Sequence, residues 1–151
     1  MKSIRFEVHG KVVGKARPRF AGGHTYTPTS TRTYERKILR AFRDAGGEKL
    51  TGPLHVDFEA VYGVQKSASK RDRALRLRGD ELAIQKPDVD NICKILLDAL
   101  NKACYQDDAE VVSVRAIKGR YEEEPRLIVR VREMETHELA EIHDWMWEGE
   151  Q

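Results

Sequence analysis

The stretch KPDVDNICKILLDALNKACYQDDAEVV, residues 86–112, decides most about how this chain folds. Its apolar residues recur every three or four positions, which places them on one face of a helix with 100° per residue. These residues are Ile92, Ile95, Leu96, Ala99, Leu100 and Ala103. The spacing predicts a helix over 90–104 with one buried face and one charged face.

Charged residues gather at both ends of this helix. Asp88 and Asp90 lie at its start, Lys94 follows one turn later, and Asp107 and Asp108 come just after its end. Mg²⁺ takes oxygen ligands and keeps several waters, so a few carboxylates together with substrate phosphates complete a site. A structural explanation also exists: one aspartate caps the helix, Asp90 pairs with Lys94, and Asp107-Asp108 form a polar turn. Composition and spacing leave both interpretations open.

The flanking segments predict a single α/β domain in which a small mixed sheet carries two main helices. Four strands are expected, at 4–8, 54–62, 111–118 and 127–131. The last two are expected to form a hairpin through a turn at 122–125. A further helix begins at about Thr31 and ends at Gly46-Gly47.

Charge is divided unevenly along the 151 residues. Residues 1–80 carry 18 Lys and Arg against 8 Asp and Glu, whereas residues 81–151 carry 9 against 17. A basic half suits a polyanionic partner such as a nucleic acid. The sequence lacks a signal-peptide pattern, a run of about 20 apolar residues and a disulfide framework, so we expect a soluble cytoplasmic protein without membrane contact.

The motif of the central helix resembles that of a known family. The run D-x-D-N-x-x-K-x-x-x-D-x-L-N followed by D-D, over 88–108, is similar to the RusA family of Holliday junction resolvases. The similarity includes the upstream segments KARPRF and TYTP and the order of the strands. We therefore expect a RusA-like endonuclease domain over 1–133, followed by an acidic helical tail over 134–151 that covers part of the core.

This resemblance implies particular roles for the charged residues. Asp88, Asp90, Asp108 and Lys94 would be catalytic, and the three aspartates would hold Mg²⁺, or Mn²⁺ in its place, with Asp107 as a candidate further ligand. The basic and aromatic residues expected to contact DNA are Lys15, Arg17, Arg19, Tyr26, Lys66, Lys70, Arg71, Arg73, Arg76 and Lys86.

The resemblance also implies partners and a cellular setting. It implies a homodimer that binds a four-way DNA junction, needs no nucleotide cofactor, and is encoded by a bacterium or a prophage. Two alternatives stay open: a non-catalytic protein that binds branched DNA, and a metal-dependent nuclease of broader structure specificity.

The predicted helix poses a geometric question about Asp108. A helix over 90–104 is about 21 Å long, so Asp108 would lie beyond the end opposite to Asp90. Either the chain doubles back after Cys104, or Asp108 enters the site of a second subunit across a two-fold axis.

Overall fold

The computed structural model of the chain describes residues 1–149. The strands are β1 (Ser3–His9), β2 (Arg19–Ala21), β3 (His24–Tyr26), β4 (Leu54–Gly63), β5 (Val111–Glu122) and β6 (Arg126–Glu133). The helices are α1 (Thr29–Asp44), α2 (Lys70–Arg78), α3 (Val89–Leu100) and α4 (Thr136–Trp147), with a short 3₁₀ turn at Asp108–Glu110. The four predicted strands form one mixed sheet, so the expected α+β class is confirmed.

Strand β4 is the interior strand around which the sheet is organised. The strand order is β1-β6-β4-β5, and β4 pairs antiparallel with β6 and parallel with β5. The alternating residues Leu54, Val56, Phe58 and Ala60 are all buried, as the two-residue period predicted. A strand that is paired on both sides and has a fully apolar inner face is expected at the centre of such a core.

The predicted hairpin between β5 and β6 is wrong. These strands are consecutive in sequence, but β4 lies between them, and the link at 123–125 passes the end of β4. The link passes close to Gly63, where a Cβ atom would lie 3.1 Å from the Cδ atom of Pro125. The apolar alternation of β5 and β6 identified them as strands but carried no information about their partners.

Helices α1 and α3 cover one face of the sheet. Helix α1 buries Thr31, Tyr34, Ile38 and Phe42, and the rings of Phe6 and Phe42 meet edge to face with centroids 5.9 Å apart. Helix α3 buries the predicted apolar face, with Ala103 half-buried in the turn that follows. The two predicted packing helices are therefore confirmed.

Helix α3 ends at Leu100, one turn earlier than the sequence predicted. Asn101 has extended backbone angles, and Lys102 has a φ of 69°, in the left-handed region that reverses the chain. The amides of Ala103 and Cys104 both donate to the carbonyl oxygen of Leu100. The helix therefore spans about 17 Å rather than 21 Å before the chain turns back.

The acidic tail forms helix α4 but does not cover the core, so that part of the prediction is wrong. Leu139, Trp145 and Met146 remain exposed, and the helix packs lightly on the outer sheet face. An ion pair of 2.6 Å between Arg132 and Glu138 attaches its first turn. Within residues 1–149, none of the helices has both the length and the apolar character needed to cross a membrane.

Candidate active site

Asp88 occupies the N-cap position of α3 without acting as a side-chain cap. Its carbonyl oxygen accepts from the amide of Ile92, but its carboxylate makes no capping hydrogen bond within residues 1–149. The carboxylate lies 3.1 Å from the ammonium of Lys86 and exposes 48% of its side chain. The capping explanation for this aspartate therefore fails.

Asp90 lies in the first turn of α3 and is exposed. The expected structural partner, Lys94, instead lies 4.0 Å from Asp98, one turn further along the helix, and exposes 65% of its side chain. Asp90 makes no ion pair with any residue from 1 to 149. The i,i+4 pair that could have explained Asp90 is thus absent from the described part of the chain.

Two side chains from the sheet hold the backbone that precedes Asp88. The ammonium of Lys118 on β5 donates to the carbonyl oxygens of Gln85 and Pro87, at 2.7 and 3.2 Å. The hydroxyl of Tyr62 on β4 donates to the same Pro87 oxygen at 3.3 Å. The backbone leading to Asp88 is therefore fixed to the interior strand β4 and to its neighbour β5.

The basic segment after β1 lies against the start of α3. A Cβ atom at Gly14 would come within 2.8 Å of the Cβ atom of Pro87, so only glycine allows this approach. The amide of Lys15 donates to the carbonyl oxygen of Asn91 at 2.9 Å. The segment that carries KARPRF is therefore anchored next to Asp88 and Asp90.

Lys15 itself is held by carboxylates. Its ammonium contacts Glu35 at 2.6 Å and Asp98 at 3.1 Å, and only 19% of its side chain is exposed. Partial burial opposes its charge, but the hydrogen bonds to Glu35 and Asp98 raise the pKa of Lys15. Lys15 therefore links the basic segment after β1 to α1 and α3.

The chain turns back after α3, as in the first of the two arrangements considered from the sequence, but within residues 1–149 it does not bring Asp108 into one group with Asp88 and Asp90. The buried Tyr105 donates its hydroxyl hydrogen to the carbonyl oxygen of Leu97 at 2.6 Å and so directs the chain back along the helix. The charges of Asp98 and Lys94 consequently act on Asp108.

The two adjacent aspartates have different roles in this turn. Asp107 caps the 3₁₀ turn, since its carboxylate accepts from the amide of Ala109 at 2.9 Å, and this hydrogen bond lowers its pKa. The carboxylate of Asp107 in turn raises the pKa of the exposed Asp108. Asp107 therefore has the structural role of forming a polar turn, whereas the carboxylate of Asp108 is more available to a metal ion.

Within one chain, the carboxylates at the start of α3 supply only some of the oxygen ligands expected for a hard divalent cation. Asp90 supplies an exposed carboxylate and Asp88 a half-exposed one, and Mg²⁺ sites often need no more than one or two carboxylates besides waters and substrate phosphates. Within residues 1–149, however, no group of three His, Cys, Asp or Glu side chains is close enough to hold an ion. Asp108 is therefore not gathered with Asp88 and Asp90 by a single chain.

Lysines line a cleft beside the start of α3. The cleft has a volume of about 400 Å³, includes Pro87 in its wall, and brings together Lys11, Lys66 and Lys86. Lys66 and Lys86 were predicted to contact DNA. Lys11 was missed because it is an isolated basic residue between β1 and the KARPRF segment. Three lysines against one glutamate, Glu123, in the lining of this cleft suit a phosphate backbone.

The basic residues of α2 fall into two groups. Lys70 and Arg71 are exposed. Arg73 instead pairs with Glu123, and Arg76 pairs with Glu81 at 3.3 Å. The guanidinium of Arg76 also lies over the ring of Tyr121 at 5.5 Å. Two of the predicted DNA contacts thus attach α2 to the domain, while the other two face solvent.

The remaining predicted contacts lie on or next to a separate two-stranded hairpin. Strands β2 and β3 pair with each other, and Arg17, Arg19 and Tyr26 are all exposed. The sequence indicated only a loop in this region, because Gly, Pro and Thr dominate its composition.

Other site features had little sequence signal. Glu35, Asp98, Tyr62 and Lys118 contact site residues, but they come from four different elements. Asp98 belongs to the motif itself, so it could have been considered as a partner of a basic residue. The other three are brought to the site only by the packing of α1, β4 and β5.

A second group of charged residues lies on the opposite face of the sheet. His55 is buried and contacts Ser113 at 2.9 Å and Asp57 at 3.0 Å. Arg115 and Arg130 also donate to the Asp57 carboxylate. Partial burial would raise its pKa, but the hydrogen bonds from Arg130, His55 and Arg115 lower the pKa of Asp57 to about 2.

The charged end of α3 therefore combines one exposed and one half-exposed carboxylate, an exposed lysine and a rim of basic side chains. Such carboxylates suit metal-assisted cleavage of a phosphodiester, and such basic groups suit binding of its polyanionic backbone. The class of protein that this combination defines is a nuclease.

Comparison with known proteins gives the particular family. Residues 9–132 match the family described as Endodeoxyribonuclease RusA. The chain belongs to this family of Holliday junction endonucleases, which confirms the resemblance seen in the motif. It is also 34% identical over 141 residues to the uncharacterized protein YqaN of Bacillus subtilis (strain 168), with 89% of this chain and 99% of that protein covered.

Proposed function

We propose that this protein is a divalent-cation-dependent endonuclease that resolves four-way DNA junctions by paired symmetric nicks. The observation that carries the proposal is the state of Asp88 and Asp90. Asp90 is exposed and Asp88 is half-exposed at the start of α3, and neither the cap nor the i,i+4 pair that could explain them structurally is made within residues 1–149. Membership of the RusA family supports the choice of substrate.

The residues then take the following roles. Asp88, Asp90 and Asp108 would hold Mg²⁺, or Mn²⁺ in its place. When bound, such a cation lowers the pKa of a coordinated water and stabilises charge on the attacked phosphate. Lys94, exposed one turn along α3, would neutralise the scissile phosphate. Lys118 and Tyr62 keep the backbone before Asp88 in place.

The proposed function calls for a homodimer for two reasons. Two nicks at symmetric positions of a four-way junction call for two sites related by a two-fold axis. In addition, a single chain brings no three acidic or metal-ligating side chains together within residues 1–149. We therefore propose that Asp108 of the partner subunit completes the site formed by Asp88 and Asp90.

The central experiment is cleavage of a mobile four-way junction with and without Mg²⁺. We expect paired nicks at symmetric positions that require the metal. A flap substrate and a linear duplex of matched sequence serve as controls for structure specificity. Equal cleavage of all three substrates would favour a nuclease of broader specificity.

The same experiment tests the non-catalytic alternative, which the lack of a three-carboxylate group in residues 1–149 favours. A protein of that class would bind the junction tightly but leave it intact with either Mg²⁺ or Mn²⁺. Metal-dependent nicking that disappears in Asp88→Asn would exclude it.

Mixed dimers test whether the site is shared between subunits. Asp90→Asn and Asp108→Asn proteins would be inactive separately. If each site takes Asp90 from one chain and Asp108 from the other, a mixed dimer has one intact and one doubly mutated site. We then expect single nicks to return on mixing, without paired resolution. If each site takes both residues from one chain, mixing restores nothing.

A further inference from the structure

The hairpin of β2 and β3 stands apart from the main sheet and exposes a large aromatic ring. Its strands form a two-stranded sheet of their own, and all six strand residues are exposed. Phe20 exposes 74% of its surface. An isolated two-stranded hairpin is only marginally stable in water, and an exposed phenylalanine adds little to its folding. A binding role explains this placement better than a packing role.

The register of the hairpin separates its side chains into two faces. Phe20 is paired with Thr25, so these two share one face. The other face carries Arg19 opposite Tyr26 and Ala21 opposite His24. The hairpin therefore presents one apolar aromatic face, backed by a basic and polar one.

The position and charge of the hairpin identify the kind of partner. Residues 10–34 contain five Lys and Arg and no Asp or Glu. The chain enters the hairpin from Lys15, which contacts Asn91 in the first turn of α3. Phe20 comes five residues after Lys15, so its Cα atom can lie at most about 18 Å from that anchored residue. A polyanion bound at Asp88 and Asp90 would therefore lie within reach of the ring.

We propose that this hairpin binds the branch point of a DNA junction, where the ring of Phe20 stacks on a base that has lost a stacking neighbour. The proposal rests on the junction-resolving function proposed above and names the group that recognises branched structure. Bases within a continuous duplex are stacked on both sides and offer no free face. At a branch point such a face exists, and aromatic side chains stack on exposed bases with little dependence on sequence.

The first test measures binding to a four-way junction and to a linear duplex without divalent metal, so that cleavage does not intervene. For Phe20→Ala we expect junction affinity to fall roughly 5- to 100-fold while duplex affinity stays unchanged, in line with the loss of one base stack. Phe20→Trp should retain the preference for junctions. Trp145→Ala is the matched control, since Trp145 is an aromatic residue with 77% exposure on α4.

The second test locates the ring. Phe20 is replaced by the photoreactive p-benzoylphenylalanine, and crosslinks to the junction are mapped by nucleotide. Crosslinks at the branch point are expected. Crosslinks spread evenly along the arms, or to a second protein chain, would overturn the proposal. The same replacement at Trp145 controls for random crosslinking.

The outcomes separate this inference from the proposed function. If the wild-type protein prefers and nicks junctions but Phe20→Ala keeps the full preference, the inference about Phe20 is wrong and the proposed function stands. A fall in junction and duplex affinity by the same factor, or a change in oligomeric state in light scattering, would also reject the stacking role. If the wild-type protein does not prefer junctions, both proposals fail.

Discussion

Asp57 and Asp90 show how differently two carboxylates of the same fold are used. Asp57, on the outer face of the sheet, accepts hydrogen bonds from Arg115 and Arg130 and contacts His55, and its pKa falls to about 2. Asp90, at the start of α3, is exposed and forms no ion pair within residues 1–149. The first carboxylate is fully engaged in the fold, and the second is available to a ligand.

This difference gives a criterion for separating structural from chemical acidic residues. A carboxylate whose oxygens are occupied by protein donors contributes to stability, because removing it leaves partly buried charges unpaired. A carboxylate that the fold leaves exposed at a helix start can bind a cation or a substrate. Five predictions test this distinction and the contacts around the site, from the largest expected effect to the smallest.

Asp90→Asn should lower the rate of junction cleavage by at least about 10²–10³-fold, the loss seen when one group that stabilises charge in a transition state is removed. Because Asp90 is exposed, the free energy of unfolding should change by less than about 0.5 kcal/mol. Single-turnover cleavage and urea unfolding measure the two quantities, and junction binding should stay measurable. Unchanged cleavage would remove Asp90 from the site.

Asp57→Asn should have the opposite profile. We expect the free energy of unfolding to fall by about 1–3 kcal/mol, since charge-assisted hydrogen bonds from two arginines are weakened. Cleavage by the folded variant should remain near the wild-type rate. A large loss of cleavage at full stability would contradict the division of roles.

The contribution of Asp57 to stability should also depend on pH. Its pKa is about 2 in the folded protein, below the value of about 3.9 for an unperturbed aspartate. A lowered pKa stabilises the fold when the group is ionised, so the contribution is present above about pH 4 and is lost as the pH falls toward 2. The stability difference between wild type and Asp57→Asn should therefore shrink over that interval in urea unfolding.

Lys118→Met should lower cleavage roughly tenfold, less than the loss of a metal ligand, because small displacements of catalytic groups reduce rates steeply. The reason is that the Pro87 carbonyl oxygen keeps only the hydrogen bond from Tyr62. Lys2→Met, at the other end of the sheet, is the matched control. Equal rates for both variants would show that the contact of Lys118 does not position Asp88.

The smallest effect concerns two arginines of α2. Arg71 is exposed, whereas Arg73 pairs with Glu123. Arg71→Ala should reduce the slope of log binding constant against log salt by about 0.9, the value for one phosphate contact. Arg73→Ala should change this salt slope less. The reverse order would mean that Arg73 exchanges Glu123 for DNA on binding.

Much of the fold could be predicted from local patterns in the sequence. The alternation at Leu54, Val56 and Phe58 identified β4, and the spacing of Ile92, Ile95 and Leu96 identified the buried face of α3. Both patterns reflect residues that are close in sequence, so they are visible without tertiary structure. The pairing of β5 with β4 rather than with β6 was not visible, because pairing depends on distant segments.

The candidate site divides in the same way. The motif identified Asp88, Asp90 and Lys94 because they fall within two turns of one helix. It did not show that Asp107 caps a 3₁₀ turn, or that Lys15 is held by Glu35. These contacts join elements that lie far apart in sequence, or depend on the backbone conformation of a turn.

The sequence by itself determined the four strands of the main sheet, the two packing helices, the family and the central motif, because helical and strand periods and a dense run of charged residues are local properties. Only the tertiary structure decided how those charges are used. It placed Lys118 and Tyr62 against the backbone that leads to Asp88, and it turned the chain back after Leu100. It also surrounded the carboxylate of Asp57, but not that of Asp90, with side-chain donors. The availability of a charged group is set by which donors and acceptors surround it in space, and those come from the whole fold.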